Sequence, residues 1–153
     1  MSVKEIIIQL VTAAVGSLGF AMVFGLKKSY YFEAALGGFL SWGLFLVCDN
    51  KCNNILIACL AASAFTAVYS EIAARIKKAP ATLFFVTSVI PLIPGRSLYY
   101  ACSNAVIRNW DSAKQNANIT LQYALAIAAG ACIIWSISLT VENIKKKVKI
   151  KAK

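Results

Sequence analysis

Five apolar blocks of about 20 residues each follow one another along this chain, and about 20 residues at 1.5 Å per residue carry a helix across a 30 Å hydrocarbon layer. No water-soluble core needs five such blocks in succession. Composition agrees: 59% of the 153 residues are hydrophobic and 14% are charged, against about 25% charged in ordinary soluble domains. The expected fold is an all-α integral membrane protein of about five transmembrane helices. One transmembrane domain takes residues 1–153, with spans at 6–26, 32–48, 55–74, 80–108 and 118–141 and a basic tail at 145–153.

The first block has a rival reading as a signal peptide, since Lys4 precedes it. It exceeds the 7–15 residues of such an apolar region, Glu5 sits where only basic residues belong, and no small-x-small cleavage site precedes Lys27. A retained helix is expected. The second block ends in a polar hairpin, Asp49-Asn50-Lys51, and the third is followed by Arg75, Lys77 and Lys78.

A net charge of +10 raises the question of nucleic acid, but its distribution answers in favour of a bilayer. With five crossings, Lys27, Lys28, Arg75, Lys77, Lys78 and the tail residues Lys145, Lys146, Lys147, Lys149, Lys151 and Lys153 share one side. The other side holds Lys4, Lys51, Arg108 and Lys114, with Arg96 between. Basic residues mark the cytoplasmic side, so the N-terminus is expected outside and the C-terminus in the cytoplasm, its lysines on anionic headgroups. No aromatic residue interleaves with these lysines, and no nucleic-acid partner is expected.

The fourth block, Pro80 to Arg108, would be about 43 Å long as one helix, too long for an ordinary span. Pro91 and Pro94 each remove a backbone donor and Gly95 accepts unusual dihedrals, so a break is predicted at Pro91-Leu92-Ile93-Pro94-Gly95. Ser97 is placed to cap a second half-helix from Leu98 to about Arg108. The broken segment either crosses or turns back. Turning back would even out the charge asymmetry, which favours a crossing. Broken membrane helices persist where freed backbone groups face protein or water, and in transporters they often build the substrate site. A simple proline kink is the plainer alternative. Polar side chains follow the break: Arg96, Ser97, Tyr99, Tyr100, Ser103 and Asn104.

Pro91-Leu92-Ile93-Pro94-Gly95 with Leu98-Tyr99-Tyr100 resembles the threonine/serine exporter (ThrE-like) family, in its small YjjB-like half. Trp110-Asp111-Ser112-Ala113-Lys114 matches its short polar loop, and Ala124, Ala126, Ala128, Ala129, Gly130 and Ala131 its Ala-rich last helix. Arg96 stands where that pattern has a small residue. The resemblance implies proton-coupled export of threonine and serine across a bacterial plasma membrane, with a larger partner subunit supplying five more helices. Dicarboxylate export of the succinate type is the variant reading, and a membrane assembly subunit without a pathway is the other. Two five-span halves would sit in opposite orientations, as in inverted-repeat transporters. Pro91, Pro94, Gly95, Arg96, Ser97, Tyr99, Tyr100 and Asn104 are the expected contacts for a small carboxylate-bearing substrate.

Other chemistry is sparse. The sequence has no histidine and no phosphate-binding glycine loop, so neither an enzyme, an ATP-driven pump, a cofactor nor a metal site is expected. Cys48 and Cys52 frame the outer hairpin; they read, with Cys59, Cys102 and Cys132, as small buried hydrophobes, an external Cys48–Cys52 disulfide being the alternative. Of the six acids, Glu5, Glu33, Asp49, Glu71, Asp111 and Glu142, most lie at span ends. Glu71 is the deepest and the candidate for proton coupling; its plainer role is an (i, i+4) pair with Arg75. Glu33 lies near Lys27 and Lys28. If export is proton-coupled, the titrating acid is expected on the partner. Small residues four apart (Ala58/Ala62, Ser63/Ala67, Ala124/Ala128, Ala126/Gly130) and Gly37, Gly38 and Gly43 favour close helix packing, within the chain or against the partner.

Overall fold

The computed structural model of the protein describes residues 3–52 and 54–151, and the side chains of 142, 143 and 145–151 are outside that description. The lysines of the basic tail, Lys145 to Lys153, therefore lie outside the described side chains. Every regular element among the described residues is helical: α1 (Val3–Val23), α2 (Tyr31–Cys52), α3 (Ile55–Lys77), α4 (Ala81–Val89), α5 (Gly95–Val106) and α6 (Trp110–Lys151). Short 3₁₀ turns precede α2 (Lys28–Tyr30) and follow α4 (Ile90–Leu92). α1, α2, α3 and α6 are each long and apolar enough to cross a membrane, and the broken pair α4–α5, bent by 61°, makes up to a fifth when taken as one span.

Local chemistry moves several boundaries. α1 stops at Val23 rather than near Leu26, because Gly25 takes φ +67° and lets Leu26 N–H reach back to the Ala21 carbonyl at 3.0 Å. The polar trio Asp49-Asn50-Lys51 is not a hairpin but the last turn of α2. The stop signal lies beyond it, where the Asn54 side chain caps α3 by accepting from the Leu56 and Ile57 amides at 3.0 and 3.4 Å. Cys48 and Cys52 thus stand four apart on one continuous helix, both as free thiols. Likewise Trp110-Asp111-Ser112-Ala113-Lys114 is the start of α6 and not a loop, since a tight turn at Ile107–Asn109 suffices. In that turn Arg108 takes φ 58°, and Asn109 N–H closes on the Asn104 carbonyl at 2.9 Å. A left-handed backbone at a non-glycine residue costs about 1–2 kcal/mol. Arg108→Gly should therefore raise thermal stability in detergent by about 1 kcal/mol, read as an upward shift of the unfolding midpoint.

The helices alternate in direction. α1 and α2 form an antiparallel pair with Ala21 and Ala34 buried at one end, and Trp42 Nε1 donating to Gln9 Oε1 at the other. α3 returns beside α2, fastened where Lys77 Nζ meets Glu33 Oε1 at 2.6 Å and Tyr69 Oη donates to the Glu33 carbonyl at 2.8 Å. Glu33 thus pairs with Lys77 and not with Lys27 or Lys28, and its Oε2 is buried without a hydrogen bond among the described residues. α4 packs against both α2 and α3. α6 runs in the same direction as α3: Cys59 and Ser63, near the start of α3, lie in that order against the Tyr123 and Ala126 carbonyls of α6, and Trp135, further along α6, reaches Phe85 on α4. A fourth segment that turned back would have begun α6 at the other end of α3. The bent α4–α5 pair instead carries the chain from one end of the bundle to the other.

Small residues let these helices touch. Among the described residues the buried polar side chains are all hydroxyls, lying between the helices: Ser17, Ser41, Ser63, Thr66, Ser70, Thr87 and Ser88. Ser17 packs over Gly38, Ser88 over Gly37 and Ser63 over Gly130, each hydroxyl occupying the volume that a Cβ on the glycine would need. Ala58/Ala62, Ser63/Ala67 and Ala126/Gly130 therefore serve packing inside this chain, whereas Ala124 and Ala128 are exposed on α6.

Candidate functional site

The break is built from the two prolines outward. Pro91 is the second residue of the 3₁₀ turn, where a missing N–H does little harm, and Ile93 is extended (ψ 123°) as expected of a residue before proline. Gly95 opens α5 directly after Pro94, so Ser97 lies inside the first turn and caps nothing. Gly95 itself is helical and is not among the residues with positive φ, and a Cβ added there would meet nothing within 4 Å. Its expected special dihedral is thus absent; what it contributes is empty space.

Backbone groups freed by the prolines find partners in the chain. Ser41 Oγ, from α2, donates to the Ser88 carbonyl at 2.7 Å. Ile93 N–H reaches the Ile90 carbonyl at 3.1 Å, Gly95 N–H the Ile93 carbonyl at 2.8 Å, and Leu98 N–H the Pro94 carbonyl at 3.0 Å. Ser41 is hence a positioning residue: it ties the end of α4 to α2 and fixes where α5 departs.

In front of the break lies a cavity of about 420 Å³, lined by Trp42, Ile55, Pro91, Leu92, Ile93, Pro94, Gly95, Arg96, Ser97, Ile119 and Tyr123. The volume suits a small ligand. Its ionic character comes from the start of α5, where the dipole is positive and, of the first-turn amides, Gly95 and Leu98 are bonded to the Ile93 and Pro94 carbonyls, and from the Arg96 guanidinium. That guanidinium stands 5.7 Å from the centre of the Tyr100 ring. Such a cavity attracts a carboxylate. A second cavity of about 230 Å³ adjoins it, lined by Gln9, Thr12, Ala13, Trp42 and Pro91. A third, almost wholly apolar, separates α5 from α6 around Leu98 and Ala124.

The structure therefore gathers Pro91, Pro94, Gly95, Arg96 and Ser97 at one cavity and leaves Tyr99, Tyr100 and Asn104 outside its lining. Arg96, Tyr100 and Asn104 are spaced i, i+4, i+8 on α5, and Asn104 Nδ2 donates to the Tyr100 carbonyl at 2.8 Å. Tyr99 packs edge-on against Tyr100 and is largely exposed. Glu71 pairs with Arg75 at 3.7 Å, four residues on, near the end of α3 remote from Ile55 and the cavity. Trp42, Gln9, Thr12, Ile55, Ile119 and Tyr123 were not legible as site residues in the sequence. Gln9 alone gave a signal, as an amide inside an apolar block; the others become neighbours of the break only through packing.

No solved structure matches this chain. The model of one protein family does, described as Threonine/Serine exporter, ThrE, over residues 9–137, a stretch that includes the break, both cavities and most of α6. With well over half its length covered, this multi-helix membrane chain belongs to the threonine/serine exporter family.

Proposed function

We propose that this chain is the small half of a proton-coupled secondary transporter that exports threonine and serine, working with a larger five-helix half. The observation that carries the reading is the cavity at the α4–α5 break, where the start of α5 and Arg96 provide a positive site for a substrate carboxylate. Family membership supports the substrate class. Among the described residues the acids cluster at helix ends, and Glu33 and Glu71 are engaged by Lys77 and Arg75. The proton-carrying acid of the transport cycle accordingly sits on the partner half.

Arg96 also favours a second reading. A guanidinium beside a helix start offers positive charge for two carboxylates, which suits a dicarboxylate such as succinate. Efflux of labelled threonine, serine and succinate from bacteria making this chain with and without the larger half decides between them. Threonine and serine efflux only with both halves supports the main reading. Succinate efflux alone replaces it, and no dependence on this chain would mark it as an assembly subunit.

In the orientation we propose, in a bacterial plasma membrane, the end carrying Lys27, Lys28, Arg75, Lys77 and Lys78 faces the cytoplasm. A reporter inserted at Lys51 should then be active only outside, and one fused after Lys153 only inside. The reverse pattern would invert the transporter.

A further inference from the structure

Trp42 and Pro91 line both cavities at the break, so the indole and the proline ring form the partition between them. The indole is stacked on Phe45 (ring centres 5.0 Å apart, planes at 25°). At its polar edge Nε1 donates to Gln9 Oε1 at 3.3 Å, the long end of the hydrogen-bond range. Gln9 is otherwise out of place. It is half-buried in a helix that is apolar from Ile6 to Leu10 apart from itself, and among the described residues its amide nitrogen has no acceptor. Thr12, one turn on, spends its hydroxyl hydrogen on the Ile8 and Gln9 carbonyls at 2.9 and 3.0 Å, leaving the oxygen free to accept. A side-chain amide inside a membrane helix is costly unless it is paired or faces water. The smaller cavity thus carries an unused donor pair and an unused acceptor, closed from the Arg96 cavity by one weakly fastened indole.

We propose that this compartment recognises the hydroxyl of the substrate, and that Trp42 is the partition that yields to it: the hydroxyl takes the Gln9 amide from the indole while the carboxylate stays at Arg96. This rests on the reading of the break as a site for a carboxylate-bearing amino acid, and extends it by naming what selects the side chain. A carboxylate site alone cannot tell threonine from valine, which has nearly the same shape. A site that offers a hydroxyl the half-buried Gln9 amide and the Thr12 oxygen can, because the analogue leaves both without that partner.

The test uses the full chain with its partner half in proteoliposomes. In a variant keeping Trp42 as the only tryptophan (Trp110→Phe, Trp135→Phe), threonine and serine should change the indole emission, whereas valine and alanine should not. Gln9→Leu, an apolar change that suits the helix, should lower the preference for threonine over valine about tenfold. Trp42→Phe keeps the ring stack but removes the competing N–H, and should tighten threonine binding a few-fold. If the Gln9–Trp42 bond merely holds α1 to α2, both variants will lower stability and leave the threonine-to-valine ratio unchanged; that result overturns the proposal. Arg96→Ala separates the two readings. If it weakens threonine and valine alike while Gln9→Leu changes nothing, the carboxylate site stands and the partition falls. If wild-type protein answers no amino acid at all, both fall.

Discussion

Gly95→Leu should abolish transport and leave membrane insertion and expression near wild type. Nothing lies within 4 Å of a Cβ at Gly95, and the residue is already helical, so neither backbone strain nor a clash opposes a side chain there. The space a leucine would enter is the cavity that Pro91, Arg96 and Ser97 share. Gly95→Ala adds a single methyl group to open space and should keep much of the transport, which separates filling of the site from any need for glycine in the backbone. Arg96→Ala should keep the fold as well but weaken substrate binding by about 1–3 kcal/mol, the range for losing a hydrogen bond to a charged group. A bare proline kink predicts otherwise: Arg96→Ala would be silent, and Gly95→Leu would impair assembly. Expression and transport measured side by side for the three variants distinguish the two cases.

The largest effect on stability is expected at Gly130. A Cβ there would overlap the Ser63 hydroxyl and come within 2.8 Å of the Leu60 carbonyl oxygen and 2.9 Å of the Ala64 amide nitrogen. A hydroxyl can rotate away, but the backbone of α3 cannot, so the two helices must separate. Even Gly130→Ala should cost about 1–3 kcal/mol, as overpacking typically does, and Gly130→Leu should go beyond that. Ser63 would lose its 3.2 Å bond to the Ala126 carbonyl, and the cluster of Ala58, Cys59, Ala62, Ala126 and Ala131 would open. Ser63→Ala should not restore Gly130→Ala, because two of the three close contacts are to backbone. Thermal unfolding in detergent checks both statements. Gly16 is the control: a Cβ there would meet nothing within 4 Å, and Gly16→Ala should be neutral or slightly stabilising.

Helical periodicity was of little help in reading this chain, since hydrocarbon-facing helices are apolar all round. Block length carries the reading instead: it locates the four long apolar helices and the bent pair. It misses boundaries wherever polar residues continue a helix: Asp49-Asn50-Lys51 belongs to α2 and Trp110–Lys114 to α6, because the stops are the Asn54 cap and the left-handed turn at Arg108. The break was legible because proline has the same covalent consequence everywhere. The contents of the cavity were not. Trp42, Ile55 and Tyr123 come from three different helices, and Ser41 reaches Ser88 across 47 residues. Nor could sequence show that Tyr99 and Tyr100, though adjacent to the motif, are not among the residues lining the cavity.

The measurement that bears most directly on the central claim is threonine flux in proteoliposomes holding this chain and its larger half, with an imposed proton gradient. Labelled threonine should move against its own gradient, serine should compete, and an ionophore collapsing the proton gradient should stop the net movement. Vesicles containing this chain alone should show almost none. Equal flux from this chain alone, or accumulation that survives loss of the proton gradient, would contradict the assignment of this protein as the small half of a proton-coupled threonine and serine exporter.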